Sequence, residues 1–432
     1  MRYRRAGLAR GLASTAVLAA LAAATTACGS GDSGTTADGK IELTVATFNE
    51  FGYEELFKEY EAAHPNIKIT PRKVGQAAPH HQNLFTKLGA GSGLADIEAV
   101  EEGYLSQVMA KSGQFNDLKQ IGPSDVREDR WLQWKTDAVT TKDDKLIGYG
   151  TDIGPLAMCY RKDLLEAANI KTDPESIKAT FATWDSYFAA GEQYVKATGK
   201  PWFDSASQVF NAMHNQHKTG YYDRDDNLVI ESNSDIKSTW DKVTKAVAQG
   251  QSAKLVAWSD EWETGFKNSA FATRTCPSWM LGVIESNAGP EHKGHWAVTG
   301  SFPGGGGNWG GSYLTVPKQS KHPKEAAELA GWLTAPQQQI KAFVAKGTFP
   351  SQTEALLSPE LLNKTSDYFG GEKVGQLFSE QANKVAGAQY KGPKDGDIQD
   401  NVISPALLSV EQGGSPEDGW KQAVEGAKKA AK

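Results

Sequence analysis

The sequence predicts an α/β protein that begins as a parallel sheet with helices on its faces and goes on through extended runs suited to cross between lobes. Three observations carry that prediction. Between residues 41 and 100, short apolar runs with strand periodicity alternate with helical runs. Between 146 and 163, a long extended run is broken by Gly148, Gly150 and the pair Gly154-Pro155, as expected of a strand that crosses from one lobe to another. Between 302 and 318, six glycines surround Asn308 and Trp309 and lead into a short strand.

The chain has 432 residues, enough for two or three domains, with 39% hydrophobic and 23% charged residues, as in ordinary globular proteins. Its first 27 residues carry Arg2, Arg4, Arg5 and Arg10 and no acid, so the remainder is more acidic than the whole chain's net charge of −6. An acidic body argues against a nucleic-acid partner, which needs a basic face. The basic start, an apolar run too short for an ordinary membrane span, and the small residues before Cys28 form a secretory signal over residues 1–27. Thr25-Thr26-Ala27-Cys28 resembles a bacterial lipobox, with Thr25 where leucine is usual. That resemblance implies lipidation of Cys28, and two or more acyl chains hold a protein at a bilayer at roughly 0.8 kcal/mol per buried CH₂. A plain secreted protein with an odd cysteine is the alternative. Residues 28–40 are small and polar and read as a flexible tether.

Ile41, Leu43 and Val45 alternate as a half-buried strand. Leu56, Phe57 and Tyr60 share one face of a helix over 54–63, stopped at His64-Pro65. Ile67 and Ile69 mark a second strand, residues 80–90 a second helix, and residues 95–100 a third strand. Strand, helix, strand, helix, strand means a parallel sheet with helices on its faces. Ligands of such sheets bind beyond the C-terminal strand ends. Asn49 and Glu50 stand at one such end, Glu101, Glu102 and Tyr104 at another, and Asp152 lies within the crossing run. Taken singly, each of these residues also reads as a solvated turn position.

Thr183 is placed to cap a helix running through Tyr194. Trp258, Trp262 and Phe266 fall at helical spacing and read as one buried stripe. Residues 271–280 read as a strand entering an exposed turn that carries Trp279. Residues 323–333 form a helix, Pro336 starts another, and Gly347 to Pro350 breaks it at a second crossing. Ser415-Pro416 caps a last helix carrying Trp420, Val424 and Ala427 on one face.

The glycine-rich stretch is the strongest functional signal. Glycine lets a ligand approach the backbone closely, and a large ring in such a loop reads as a platform for a flat molecular face. A mobile surface loop with a stray indole is the alternative. Gly305-x-Gly307-x-x-Gly310 matches a dinucleotide fingerprint in letters, but residues 313–316 read as a strand where that fingerprint requires a helix. Gly311 stands where a P-loop needs lysine. Adjacent acids such as Glu101/Glu102 or Asp143/Asp144 point to opposite faces of a strand and do not make a glycosidase pair. His80-His81 lacks metal-ligand spacing, and no Gly-x-Ser-x-Gly elbow occurs. No metal and no cofactor is expected, no catalytic residue is assigned, and the chain is expected to act as a monomer.

In order, the lipobox, the tether, the α/β run, Tyr160-Arg161-Lys162-Asp163-Leu164, Thr183-Trp184-Asp185, Trp279-Met280, Trp309-Gly310-Gly311-Ser312 with Pro317-Lys318, and Phe349-Pro350-Ser351 resemble the family 1 extracellular solute-binding proteins of sugar ABC importers. Met158-Cys159 and Thr275-Cys276-Pro277 look most similar to the actinobacterial cello-oligosaccharide-binding lipoproteins. The resemblance implies the type II, maltose-binding-protein-like fold, with one lobe at 41–152 plus 312–348 and the other at 153–311 plus 349–432. It implies a cleft in which Trp309 and Trp279 stack on sugar rings. Asn49, Glu50, Glu102, Asp152, Asn308 and Ser312 would bond hydroxyls there, and Phe349 would flank them. It further implies a lipid-anchored, exported receptor for a β-linked gluco-oligosaccharide that serves ABC permease subunits. A receptor for another oligosaccharide, or a secreted glycoside hydrolase, are the alternatives. Cys159 and Cys276 lie on predicted strands of the second lobe. In an oxidising compartment they pair as a disulfide or remain two buried thiols.

Overall fold

The computed structural model describes residues 34–36, 38–385 and 389–432. The basic leader and Cys28 lie outside the described residues, as does the first part of the tether. Among the described residues no helix is long and apolar enough to cross a membrane.

The first sheet starts as the periodicity predicts. Strand β1 (Ile41–Phe48) pairs in parallel with β2 (Ile67–Val74), and β3 (Ile97–Glu101) joins β1 on its other side, also in parallel. The connections are helices Glu54–Ala63 and Ala77–Ala90. The second begins three residues earlier than its apolar face suggests. Both turn their apolar stripes onto the sheet, burying Leu56 and Tyr60 from one and Leu84 and Leu88 from the other.

The crossing run resolves into three strands, β4 (Gly148–Gly150), β5 (Asp152–Ile153) and β6 (Leu156–Arg161). Strand β4 closes the edge of the first sheet. Strand β6 is the centre of a second sheet, between β7 (Thr273–Pro277) and β8 (Trp296–Thr299), both antiparallel to it. Strand β9 (Ser312–Thr315) carries the chain from the glycine-rich loop back into the first sheet. It lies antiparallel between β3 and β4, giving the order β2-β1-β3-β9-β4. Strand β10 (Phe349–Pro350) pairs with β5, Phe349 opposite Ile153 and Pro350 opposite Asp152. The two crossings thus lie side by side and brace each other.

Strand β6 shows why its sequence is apolar throughout. Leu156, Met158 and Tyr160 enter a core with the helices of residues 206–247 and 404–427. Ala157 and Cys159 enter a different core with Trp262, Phe266 and Trp296. A strand covered on both faces has no polar side to alternate with. On that second side Cys159 of β6 and Cys276 of β7 form a disulfide, Cα atoms 5.5 Å apart, across a sequence separation of 117. In the chain-entropy model a loop of this size contributes about 4–5 kcal/mol.

Helix caps follow their residues. Thr183 and Ser186 form a reciprocal capping box at the start of helix Trp184–Thr198. Ser415 caps helix Pro416–Ala430, with proline at its first turn.

Candidate functional site

The site is where the glycine-rich loop meets the crossings. Strand register places Glu101 opposite Ser312 and Val100 opposite Tyr313, so the loop ends at the C-terminal tip of β3. The amide of Glu102 donates to the carbonyl of Gly311 at 3.0 Å, and the amide of Trp309 donates to the carbonyl of Gly154 at 2.8 Å. Gly154 must be glycine, because a Cβ there would stand 1.9 Å from the Trp309 carbonyl oxygen. Gly310 and Gly311 have φ of 79° and 106°, which side-chain-bearing residues rarely adopt. These constraints fix where the indole of Trp309 stands.

Trp309 is half-buried. Its ring meets the edge of Trp279 at 86°, centroids 6.0 Å apart, and the Trp279 Nε1 donates to the Trp309 carbonyl at 3.2 Å. Trp279 is on a turn, as expected, but the turn is not exposed. It is the N-cap of helix Met280–Ala288, half-buried against the core around Trp262. The Arg274 guanidinium sits 5.6 Å from the Trp309 centroid. Arg274 is fully buried and held by Asp204 (3.1 Å), Gln208 (2.5 Å) and Thr275 (2.8 Å). Asp204 is in turn held by the Trp262 indole at 2.8 Å. A locked cation beside an indole helps to fix the ring.

The other half contributes acids. Asn308 bonds three ways: its Oδ1 accepts from Gly154 N (2.9 Å), and its Nδ2 donates to Glu102 (2.7 Å) and the Gly310 carbonyl (2.9 Å). Asp152 Oδ1 accepts from the Ser312 amide (3.0 Å) and the Thr151 hydroxyl (2.6 Å). Lys135 lies among Glu102, Asp152 and Glu101, 3.9 Å from the centroid of Tyr313. It is fully buried, and its ammonium has no hydrogen-bond partner among the described residues. Burial pushes Glu102 up while the Lys135 charge opposes it. Glu101, half-buried, caps helix Glu102–Met109 through the Gly103 amide at 2.8 Å. Burial, reinforced by the Glu102 and Asp400 carboxylates, pushes it up to about 8.

A side-chain contact near the tip of β3 also joins the two halves. Tyr104 of helix Glu102–Met109 donates to Asp400 at 2.8 Å, and its ring stacks on His81 at 4.1 Å and 8°. His81 is neutral and oriented, since its Nδ1 faces the Ala77 carbonyl and its Nε2 accepts from the Glu101 amide. Burial holds it down at about 3.

Trp309, Trp279, Asn308, Glu102, Asp152 and Ser312 therefore form one connected cluster. Asn308, Asp152 and Ser312 are nearly inaccessible, and their bonds go to the protein, so they position the indoles and acids. Asn49, at the end of β1 with φ of 46°, is half-buried, and its amide side chain has no partner among the described residues. Two expected residues stand elsewhere. Glu50 is exposed and paired with Lys73 and, at 3.3 Å, with Lys346. Phe349 is fully buried against Phe343 and Phe378, because β10 turns it into the core beneath the crossing. It packs beneath the paired strands β5 and β10. Sequence reasoning missed Lys135, Arg274 and the Tyr104–Asp400 pair. An arginine inside a strand that is buried along its whole length was the one available signal.

The model of the bacterial extracellular solute-binding protein family matches residues 55–367. An arabinooligosaccharide-binding protein of Bacillus subtilis (strain 168) is 30% identical over 354 residues, 77% of this chain and 78% of that protein. A crystal structure of an extracellular solute-binding protein of family 1 aligns with a TM-score of 0.81 at 49% identity, covering 90% of this chain and 100% of the other. An ABC transporter binding protein from B. animalis subsp. lactis Bl-04, in complex with beta-1,6-galactobiose, aligns with a TM-score of 0.76 at 22% identity over 90% and 98% of the two chains. The architecture is that of the two-lobed periplasmic binding proteins of the maltose-binding type.

Proposed function

Because the chain belongs to the bacterial extracellular solute-binding proteins, we propose that it captures an oligosaccharide between its lobes and delivers it to the permease of an ABC importer. One observation carries this reading. Two half-buried indoles, Trp279 and Trp309, meet at 6.0 Å beside the crossings, Trp309 backed by the buried Arg274 and its neighbour Asn308 bonded to Glu102 of the other half. Indole faces suit the flat C–H faces of sugar rings, and carboxylates accept from their hydroxyls. The lobes divide at 41–152 plus 312–348 and 153–311 plus 349–432. They close over the sugar by bending at the paired crossings β5 and β10.

The sugar we favour is a β-linked gluco-oligosaccharide such as cellobiose or cellotriose, on the resemblance of the segments around Cys159 and Cys276. The relative of 30% identity makes an arabino-oligosaccharide the second reading. Cys28 is the proposed lipid anchor that holds the receptor at the outer face of the cytoplasmic membrane.

A thermal-shift panel of neutral oligosaccharides, followed by sugar analysis of each mixture, tests the reading. A raised melting temperature with unchanged sugar is expected. Release of shorter sugars would make the protein a hydrolase, and no shift with any sugar would reject the receptor.

A further inference from the structure

We propose that Trp258 is an additional sugar subsite at the outer end of the indole row, so that the cleft accepts trisaccharides and longer chains. This rests on the cleft being a sugar site, and it concerns a residue whose spacing alone points to a core stripe.

The structure removes Trp258 from that stripe. Ser259 caps the helix by accepting from the Trp262 amide, and the helix is Asp260–Lys267. Trp262 and Phe266 are fully buried within it. Trp258 precedes the cap and is half-buried, in a segment where Val256 is 51% exposed. Its φ of 70° is a backbone state that a residue of this bulk rarely adopts. Such conformations persist where surrounding structure enforces them, and they gather at ligand sites.

Its surroundings point to what it does. The Trp258 ring lies within 27° of parallel to Trp279, centroids 6.0 Å apart, and packs at 5.0 Å against the buried Trp262. Trp279 stands at the same 6.0 Å from Trp309. The three indoles therefore form a row from the crossings outward, with Trp279 in the middle. The outer end of that row reaches the first sheet's half. The carbonyl of Trp258 accepts from the amide side chain of Gln76 at 3.5 Å, and Gln76 precedes helix Ala77–Ala90 of the first sheet's half. A row of separate rings reads successive units of a chain, so the outermost ring is touched only by longer ligands.

The test uses the intact chain and di-, tri- and tetrasaccharides of the cello, arabino and galacto series, titrated by calorimetry. In Trp258→Ala the affinity for the best trisaccharide should fall about tenfold, the order of one lost ring contact. Affinity for the disaccharide of the same series should change less than about twofold. In Trp258→Gly, which removes the backbone strain with the ring, the unliganded melting temperature should hold or rise. An unchanged trisaccharide affinity, or an equal loss for both lengths, overturns the proposal. So does a Trp258→Gly protein that unfolds early, since the ring would then be core. A wild-type chain that binds no member of any series would instead reject the sugar reading on which the proposal rests.

Discussion

The first sheet and the second sheet of this molecule divide the work of the site differently. The first sheet brings polar groups: Glu101 and Glu102 at the tip of β3, with Asp152 and Lys135 buried behind them beside β4 and β9. The second delivers flat surface: Trp279 at the end of β7, and Trp309 seated over Arg274 of the same strand. A sugar offers both hydroxyls and apolar faces, and neither half alone can satisfy it. In the proposed function, closure of the halves brings these two kinds of surface together on one sugar.

Both sheets are packed by hydrophobic cores, and the second is also stapled by a disulfide. Reducing Cys159–Cys276, or replacing Cys276 by Ser, should therefore give the largest loss of stability, about 4–5 kcal/mol, read from denaturant midpoints. Phe349→Ala should follow at about 3–5 kcal/mol, with sugar affinity of the folded fraction retained. A variant that keeps its stability but loses affinity would return Phe349 to the cleft. Trp309→Ala should weaken sugar binding about a hundredfold while changing the melting temperature little, because the ring is half-buried and the loop backbone is fixed by glycines.

The smallest expected effect is on pH dependence, and it sharpens the contrast between acids and indoles. Glu101 is raised to about 8, Glu98 to about 7 and Asp400 to about 6, in each case chiefly by burial. Each carboxyl keeps its proton in the folded chain at pH values where the unfolded chain has lost it. The stability this supplies is complete below the ordinary carboxylate range and is lost as pH rises through 6, 7 and 8. Buried His81 acts in the opposite sense, but only below its ordinary 6.5. Between pH 6.5 and 8 the melting temperature should fall, and the fall should be shallower in Glu101→Gln. An identical slope in the variant would remove Glu101 as a source.

The contrast also explains what could be read before any coordinates. The parallel strands and helices of residues 41–101 were legible because each helix has one apolar face and each strand follows its helix directly. Strand β6 was visible as extended, but its partners were not, since Leu156 to Tyr160 are buried on both faces and carry no alternation. Trp258 packs on Trp262 as its spacing suggests but lies outside the helix, because a spacing of four residues fits a helix whether or not the helix has begun, and Ser259 caps it one residue later. Phe349 misled because a two-residue strand gives no periodicity to tell its faces apart. Lys135 and the Tyr104–Asp400 contact have no local signature. The last joins residues 296 positions apart.

The most direct test is a calorimetric titration of the intact chain with its best oligosaccharide, repeated on the Trp279→Ala, Trp309→Ala double variant. A single site in the wild type that disappears in a variant still folded at the same temperature is the result predicted here. Equal heats and equal affinity in both proteins would contradict it.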